Sequence, residues 1–181
     1  MAKKLILGAV LGGLVAFVWG AVSHMALGFT ESSIMTLQEE DAVAQSLLNS
    51  APKSGVYMYP QGGSDEEAMK KMAEGAPIVF MAIRREGMTS IVTPMLAQIV
   101  IEMLGALLFT WLLTRATGLS YLASAGFVAI AALAGAIVSQ LPMWNWYGLS
   151  FRFVGWELLD AAIGGFLSGL VIAKVALPKT V

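Results

Sequence analysis

Four ionisable side chains interrupt stretches that are otherwise apolar: His24, Glu102, Glu157 and Asp160. Inside a run long enough to cross a bilayer each is costly, so each asks for a partner or a task. Helical phase gives them a direction. His24 shares a face with Phe17, Gly20 and Gly13, and Glu102 with Gln98, Gly105 and Ala106. Glu157 and Asp160 share one with Ala161, Gly164 and Ser168. Each therefore lies on the small-residue stripe of its helix, the side that should turn inward. At the helical rise, His24, Glu157 and Asp160 fall roughly 6–12 Å, and Glu102 about 13–16 Å, below one end of the helices. The pattern predicts a buried polar cluster of His24, Gln98, Glu102, Glu157 and Asp160, with Ser23 and Gln140 beside it.

That cluster could do several kinds of chemistry. Carboxylates near one another in low dielectric cannot all stay charged, so at least one should be protonated or paired with His24 or Arg152. Such groups can carry protons, hold a cation, or bind a small molecule or lipid. They can also simply lock helices together, which is the simplest expectation for a buried polar network. His24 could supply one axial ligand to a haem or chlorophyll. A hydrogen-bonded packing role is the expectation for it, with no cofactor and no metal. No catalytic residue is assigned.

The elements that must position these residues are four apolar segments of spanning length. They run from about Leu5 to Leu27, Ile91 to Leu113, Tyr121 to Leu141, and Phe153 to Leu177. The third is expected to stop at Pro142. The first has a basic start, but its apolar run exceeds the roughly 7–15 residues of a signal peptide, so it reads as a retained helix. Lys3, Lys4, Arg115, Lys174 and Lys179 flank one side, and Arg152 the short loop on the other. The positive-inside rule then puts both termini in the cytoplasm. Lys53, Lys70, Lys71, Arg84 and Arg85 lie in the long outside segment, where charge matters less. GxxxG pairs at Gly8/Gly12 and Gly165/Gly169, with Ala132 and Ala136 near Gly135, suit close helix packing within the chain or a homodimer face.

The expected organisation is thus residues 1–28 as the first helix, 29–90 as an extracytoplasmic cap, and 91–181 as three further helices. The fold class is all-α: a four-helix membrane bundle with a small α+β cap. In the cap, Thr36-Leu37-Gln38-Glu39 and Ser64-Asp65-Glu66-Glu67 read as capping boxes opening two helices. Gly55 to Tyr59 and Ile78 to Ile83 are rich in strand formers and should pair. The string Pro142 to Gly148 reads as a loop whose Trp144, Asn145, Trp146 and Tyr147 form an interfacial belt or a platform for a partner. Trp19 and Trp156 should line the polar cluster, and Trp111 fits the belt on the cytoplasmic side.

Composition narrows the classes. Of 181 residues, 57% are hydrophobic and 13% charged, against about 45–50% and about 25% in a soluble domain. Mean hydropathy is +0.75. The net charge of −1 offers no basic surface for nucleic acid. The absence of cysteine excludes disulfides, thiolate metal sites and iron–sulfur clusters, and suits loops in an oxidising compartment. A single histidine excludes multi-histidine metal sites within one chain. There is no P-loop, GxSxG elbow, HExxH or dinucleotide fingerprint.

Three strings carry a resemblance: Val18-Trp19-Gly20-Ala21-Val22-Ser23-His24-Met25, Gly55 to Pro60, and Trp144-Asn145-Trp146-Tyr147-Gly148. Together they resemble a group of uncharacterised small bacterial inner-membrane proteins with four helices, over most of the chain. The resemblance implies a bacterial inner-membrane setting and assigns no activity. The leading functional expectation is a non-catalytic accessory or scaffolding subunit of a larger membrane complex, respiratory or photosynthetic. Its partners would be lipids and other membrane subunits, or a second copy. The alternatives are a proton- or ion-linked transporter using the carboxylate/His cluster, and a membrane enzyme acting on lipid or quinone.

Overall fold

The computed structural model describes residues 1–61 and 64–176. In chain order the elements are α1 (Ala2–Ala21), a π-helical turn (Val22–Leu27), a 3-10 turn (Glu31–Ser33), α2 (Glu40–Ser50) and β1 (Gly55–Tyr59). They continue with α3 (Asp65–Ala73), β2 (Val79–Ile83), α4 (Val92–Arg115), α5 (Tyr121–Tyr147) and α6 (Phe151–Ala176). Leu177 and Lys179, the expected end and flank of the last helix, lie outside the described residues. Two compact units result. One holds Met1–Ile34, Ser90–Leu141 and the described part of Ser150–Val181; the other holds Met35–Thr89 with Pro142–Leu149.

The first unit is built from four helices long and apolar enough to cross a membrane: Ala2–Leu27, α4, α5 and α6. Glycine sets how closely they approach. A Cβ on Gly13 would stand 2.6 Å from Met103 Cα, and Gly8 faces Thr110, so α1 and α4 run antiparallel with almost no gap. A Cβ on Gly12 would stand 2.7 Å from Ile172, and the Ser168 hydroxyl donates to the Gly12 carbonyl at 3.0 Å, which seats α1 against α6. A Cβ on Gly169 would meet Ala125 Cα at 2.9 Å, and one on Gly165 would meet Ala132 Cβ at 2.7 Å, which seats α6 against α5. Both GxxxG pairs thus face helices of the same chain. Such close approach at small residues is the contact that holds apolar helices together where the surroundings are as apolar as they are. A dry core of Ala106, Leu113, Ile172 and Ala173, flanked by Phe109 and Tyr121, fills the space between α4, α5 and α6.

The ends of these helices carry the differences from expectation. The last turn before Gly28 is π-helical, and Gly28 (φ +58°) stops it with its N–H on the Ser23 carbonyl at 2.9 Å. α5 does not stop at Pro142 but runs through it to Tyr147. Trp144, Asn145, Trp146 and Tyr147 are therefore helical, and the connection to α6 is only Gly148 to Ser150. Proline removes one internal hydrogen bond and crowds the preceding turn. In a long apolar helix the surrounding turns carry the element past such a break. The stop comes instead at Gly148 (φ +76°), a backbone conformation costly for residues with a Cβ.

In the second unit, β1 and β2 pair antiparallel from Gly55↔Ile83 to Tyr59↔Val79. Ser64 caps α3, accepting from the Glu67 N–H at 3.3 Å. The first capping box does not form. Glu39 adopts a left-handed backbone (φ +51°), α2 begins only at Glu40, and no side chain caps it. A capping box needs an extended N-cap residue whose side chain reaches forward, and here the turn at Glu39 has displaced the helix start beyond Thr36. Arg85 ties the unit together: its guanidinium donates to the Leu48 and Ala51 carbonyls, and its N–H to Ser54 Oγ at 2.9 Å. Ser54 in turn donates to Glu86 at 2.6 Å. Tyr147 meets Phe80 with ring centroids 4.4 Å apart.

Candidate ligand cavity

Where α1, α4, α5 and α6 separate, they leave a half-open cavity of 1040 Å³. Ligand pockets usually span about 300–1,000 Å³, so this one lies at the top of that range. α1 contributes Phe17, Trp19 and Gly20, the π-helical turn after it His24, and α4 Gln98, Glu102, Gly105 and Phe109. α5 contributes Ala132, Ala136 and Gln140, and α6 contributes Asp160, Gly164 and Ser168. Gly20 and Gly105 have nothing within 4 Å of the position a Cβ would take, so these glycines leave space where Gly8, Gly12 and Gly13 close it.

Its polar groups are held in place. The Trp19 indole N–H donates to Asp160 Oδ1 at 2.8 Å, across the α1–α6 contact where Gly164 makes room for the ring. Gln98 donates to Glu102 Oε1 at 2.7 Å, one helical turn away on α4. His24 Nδ1 lies 2.8 Å from Glu31 Oε1, which leaves Nε2 for any second partner. The His24 side chain is 43% exposed, so it stands at the rim. Glu31 lies beyond the spanning segment, and its own backbone amide and then His24 hold its carboxyl below the usual carboxylate range.

The cavity also has a gradient. The polar lining residues, His24, Gln98, Glu102, Gln140 and Asp160, lie in the half of the cavity toward the π-helical end, with Met25, Ile91, Pro94 and Met95 beside them. One helical stretch further in, from Glu102 to Phe109 and from His24 to Phe17, the lining is apolar, which at the helical rise is about 10 Å of depth. Ser168 lies at that depth, but its hydroxyl is already bonded to the Gly12 carbonyl.

The expected cluster is thus redistributed. His24, Gln98, Glu102 and Asp160 line one cavity, joined by Gln140; Glu157 and Ser23 do not line it. The carboxylates do not gather on His24 or Arg152 through hydrogen bonds. His24 pairs with Glu31, and Arg152 donates to Ser32 Oγ at 3.2 Å. Among the described residues no group of His, Cys, Asp or Glu is arranged to hold a metal ion. Trp156 turns from the cavity to stack on Phe29, with centroids 4.6 Å apart. Trp111 lies under the Arg115 guanidinium at 5.4 Å.

No family model, curated protein or solved structure matches the chain. The site therefore rests on its own chemistry. One participant, Glu31, and one bond, from Trp19 to Asp160, escaped the sequence reading. Trp19 was visible as a deep tryptophan, but its bond to Asp160 depends on the crossing of two helices distant in sequence. Glu31 gave a weaker signal, an acid seven residues after His24 and beyond a glycine that turns the chain.

Proposed function

We propose that the chain is a multi-pass integral membrane protein that binds an amphipathic small molecule in the cavity between α1, α4, α5 and α6. Its role is binding rather than catalysis. The observation that carries this is a cavity of ligand size whose lining gathers hydrogen-bonding groups in one half and is apolar in the depth below. Large apolar side chains on the outer faces, such as Leu96, Leu104, Leu108, Ile130 and Val138, suit contact with lipid.

The setting we propose is a bacterial inner membrane, with both termini cytoplasmic and residues 29–90 outside. Lys4 Nζ donates to the Ala176 carbonyl at 2.8 Å, so the start of α1 and the end of α6 share one end of the unit. Lys3, Lys4 and Lys174 then cluster at that end, as the positive-inside rule asks. The polar end of the cavity would open toward the outside leaflet.

A second reading, accessory subunit of a larger membrane assembly, is favoured by a different observation. The unit holding the sheet exposes Met35, Leu37, Val56 and Met69, each at 60% or more. Apolar groups so exposed suit a covering partner. The two readings are compatible, since accessory subunits can hold lipids or quinones.

The test is native mass spectrometry of the protein extracted in mild detergent. We expect one amphipathic molecule retained per chain in the wild type and lost in Gly105→Phe, whose ring would occupy the cavity between Glu102 and Phe109. Retention by Gly105→Phe equal to the wild type would refute the assignment.

A further inference from the structure

Resting on the reading of the cavity as an amphiphile site, we infer that its ligand carries a cationic head, an ammonium or similar group, rather than an anionic or neutral one. The charge of the lining decides this. Two carboxyl groups, Glu102 and Asp160, face the polar end, and among the described residues no Lys or Arg lines the cavity. The other polar groups there, Gln98, Gln140 and the rim residue His24, orient and hydrogen-bond but supply no fixed positive charge.

The carboxyl groups are also placed to accept more than they now do. Trp19 donates to one oxygen of Asp160, and Gln98 to one oxygen of Glu102. A carboxylate can accept at about four lone-pair sites, so each keeps capacity turned to a ligand. Trp19 itself offers a π-face beside Asp160, and aromatic faces attract cations. An anionic head entering the same space would set its oxygens against the acceptor oxygens of Asp160 and Glu102, with no Lys or Arg among the described lining residues to receive it. Below the head, Phe17, Ala106, Phe109 and Ala132 give an apolar wall for an alkyl chain. The ligand class is therefore a monocationic amphiphile whose head reaches Asp160 and Glu102 while its tail lies toward Phe109.

The experiment uses the full chain in nanodiscs of zwitterionic phosphatidylcholine at pH 7. Binding of radiolabelled dodecylamine, dodecanol and dodecyl sulfate is measured, with empty nanodiscs subtracted. We expect saturable binding of dodecylamine, one per chain, at least about tenfold tighter than dodecanol, because a hydrogen bond to a charged group is worth more than a neutral one. Dodecyl sulfate should bind more weakly than either. Asp160→Asn keeps an acceptor for Trp19, and Glu102→Gln keeps a partner for Gln98. Each should weaken dodecylamine by about tenfold and leave dodecanol unchanged. Dodecanol binding thus reports that a variant is folded, and if one variant loses it the other decides. Equal binding of all three probes, or preference for the sulfate, overturns the cationic head while leaving the amphiphile site standing. No saturable binding of any probe overturns the site itself.

Discussion

The same residue type has opposite uses in the two halves of the helical unit. In the half nearest Lys4, Gly8, Gly12 and Gly13 let α1 lie directly on α4 and α6, and a Cβ at any of them would collide. In the other half, Gly20 and Gly105 meet nothing, and the space they leave is the cavity. In the first half the buried Thr110 hydroxyl turns back onto its own helix and donates to the Ala106 carbonyl at 2.7 Å. The second is lined by Asp160, Glu102, Gln98 and Gln140. Glycine in a membrane helix is thus not by itself a packing signal; its neighbours across the gap decide whether it closes a contact or opens one.

The sharpest way to break this contrast is to add bulk on each side of it. Gly13→Val should destabilise the protein by about 3 kcal/mol, because Met103 backbone cannot yield as a side chain can. Detergent-driven unfolding in mixed micelles measures this, and an unchanged midpoint would deny the α1–α4 contact. Next in size is the link between the halves. Asp160→Ala leaves the Trp19 indole without its acceptor and should cost about 1–3 kcal/mol, while Asp160→Asn should cost less than half of that. The same assay separates the two. On the open side, Gly105→Phe should alter stability by no more than about 0.5 kcal/mol while abolishing ligand retention. A loss comparable to that of Gly13→Val would show that no free space exists there.

The smallest effect concerns the unit that holds the sheet. Ser54 and then its own backbone amide hold the Glu86 carboxyl below the usual carboxylate range. A depressed folded-state value means the contribution is present above the unfolded value, near pH 4–4.5, and is lost as pH falls through the lower folded one. Acid should therefore loosen this unit below about pH 4 in the wild type, with a shallower slope in Glu86→Gln. Hydrogen exchange of the β1 and β2 amides between pH 3 and 5 follows it; identical slopes would remove Glu86 from the account.

Much of this was legible in the chain. Four apolar runs of spanning length announced four helices, since nothing else satisfies so long an apolar backbone. Val56, Tyr57 and Tyr59 marked β1, and Ser64 marked the start of α3. Helical phase placed His24, Gln98, Glu102 and Asp160 on stripes that the structure brings along one cavity. It misled at Glu157, which lies three residues from Asp160, about 60° away in helical phase, and does not line that cavity. Pro142 was read as a stop because local rules describe isolated helices, whereas α5 is long enough to run past one lost hydrogen bond. Thr36 was read as a cap because its spacing to Glu39 fits, but spacing alone does not reveal that Glu39 takes a left-handed turn. The Trp19–Asp160 bond and the His24–Glu31 pair were beyond local reading, since both depend on how distant or reversed segments meet.

The absence of cysteine makes the central claim directly measurable. Single-cysteine variants A136C, on the cavity wall, and V128C, fully buried, would be treated in native membranes with a membrane-permeant maleimide. The account predicts that A136C is modified, that dodecylamine slows its modification, and that V128C remains unmodified. Equal reactivity at the two positions, or an inert A136C, would contradict the cavity on which the proposed function rests.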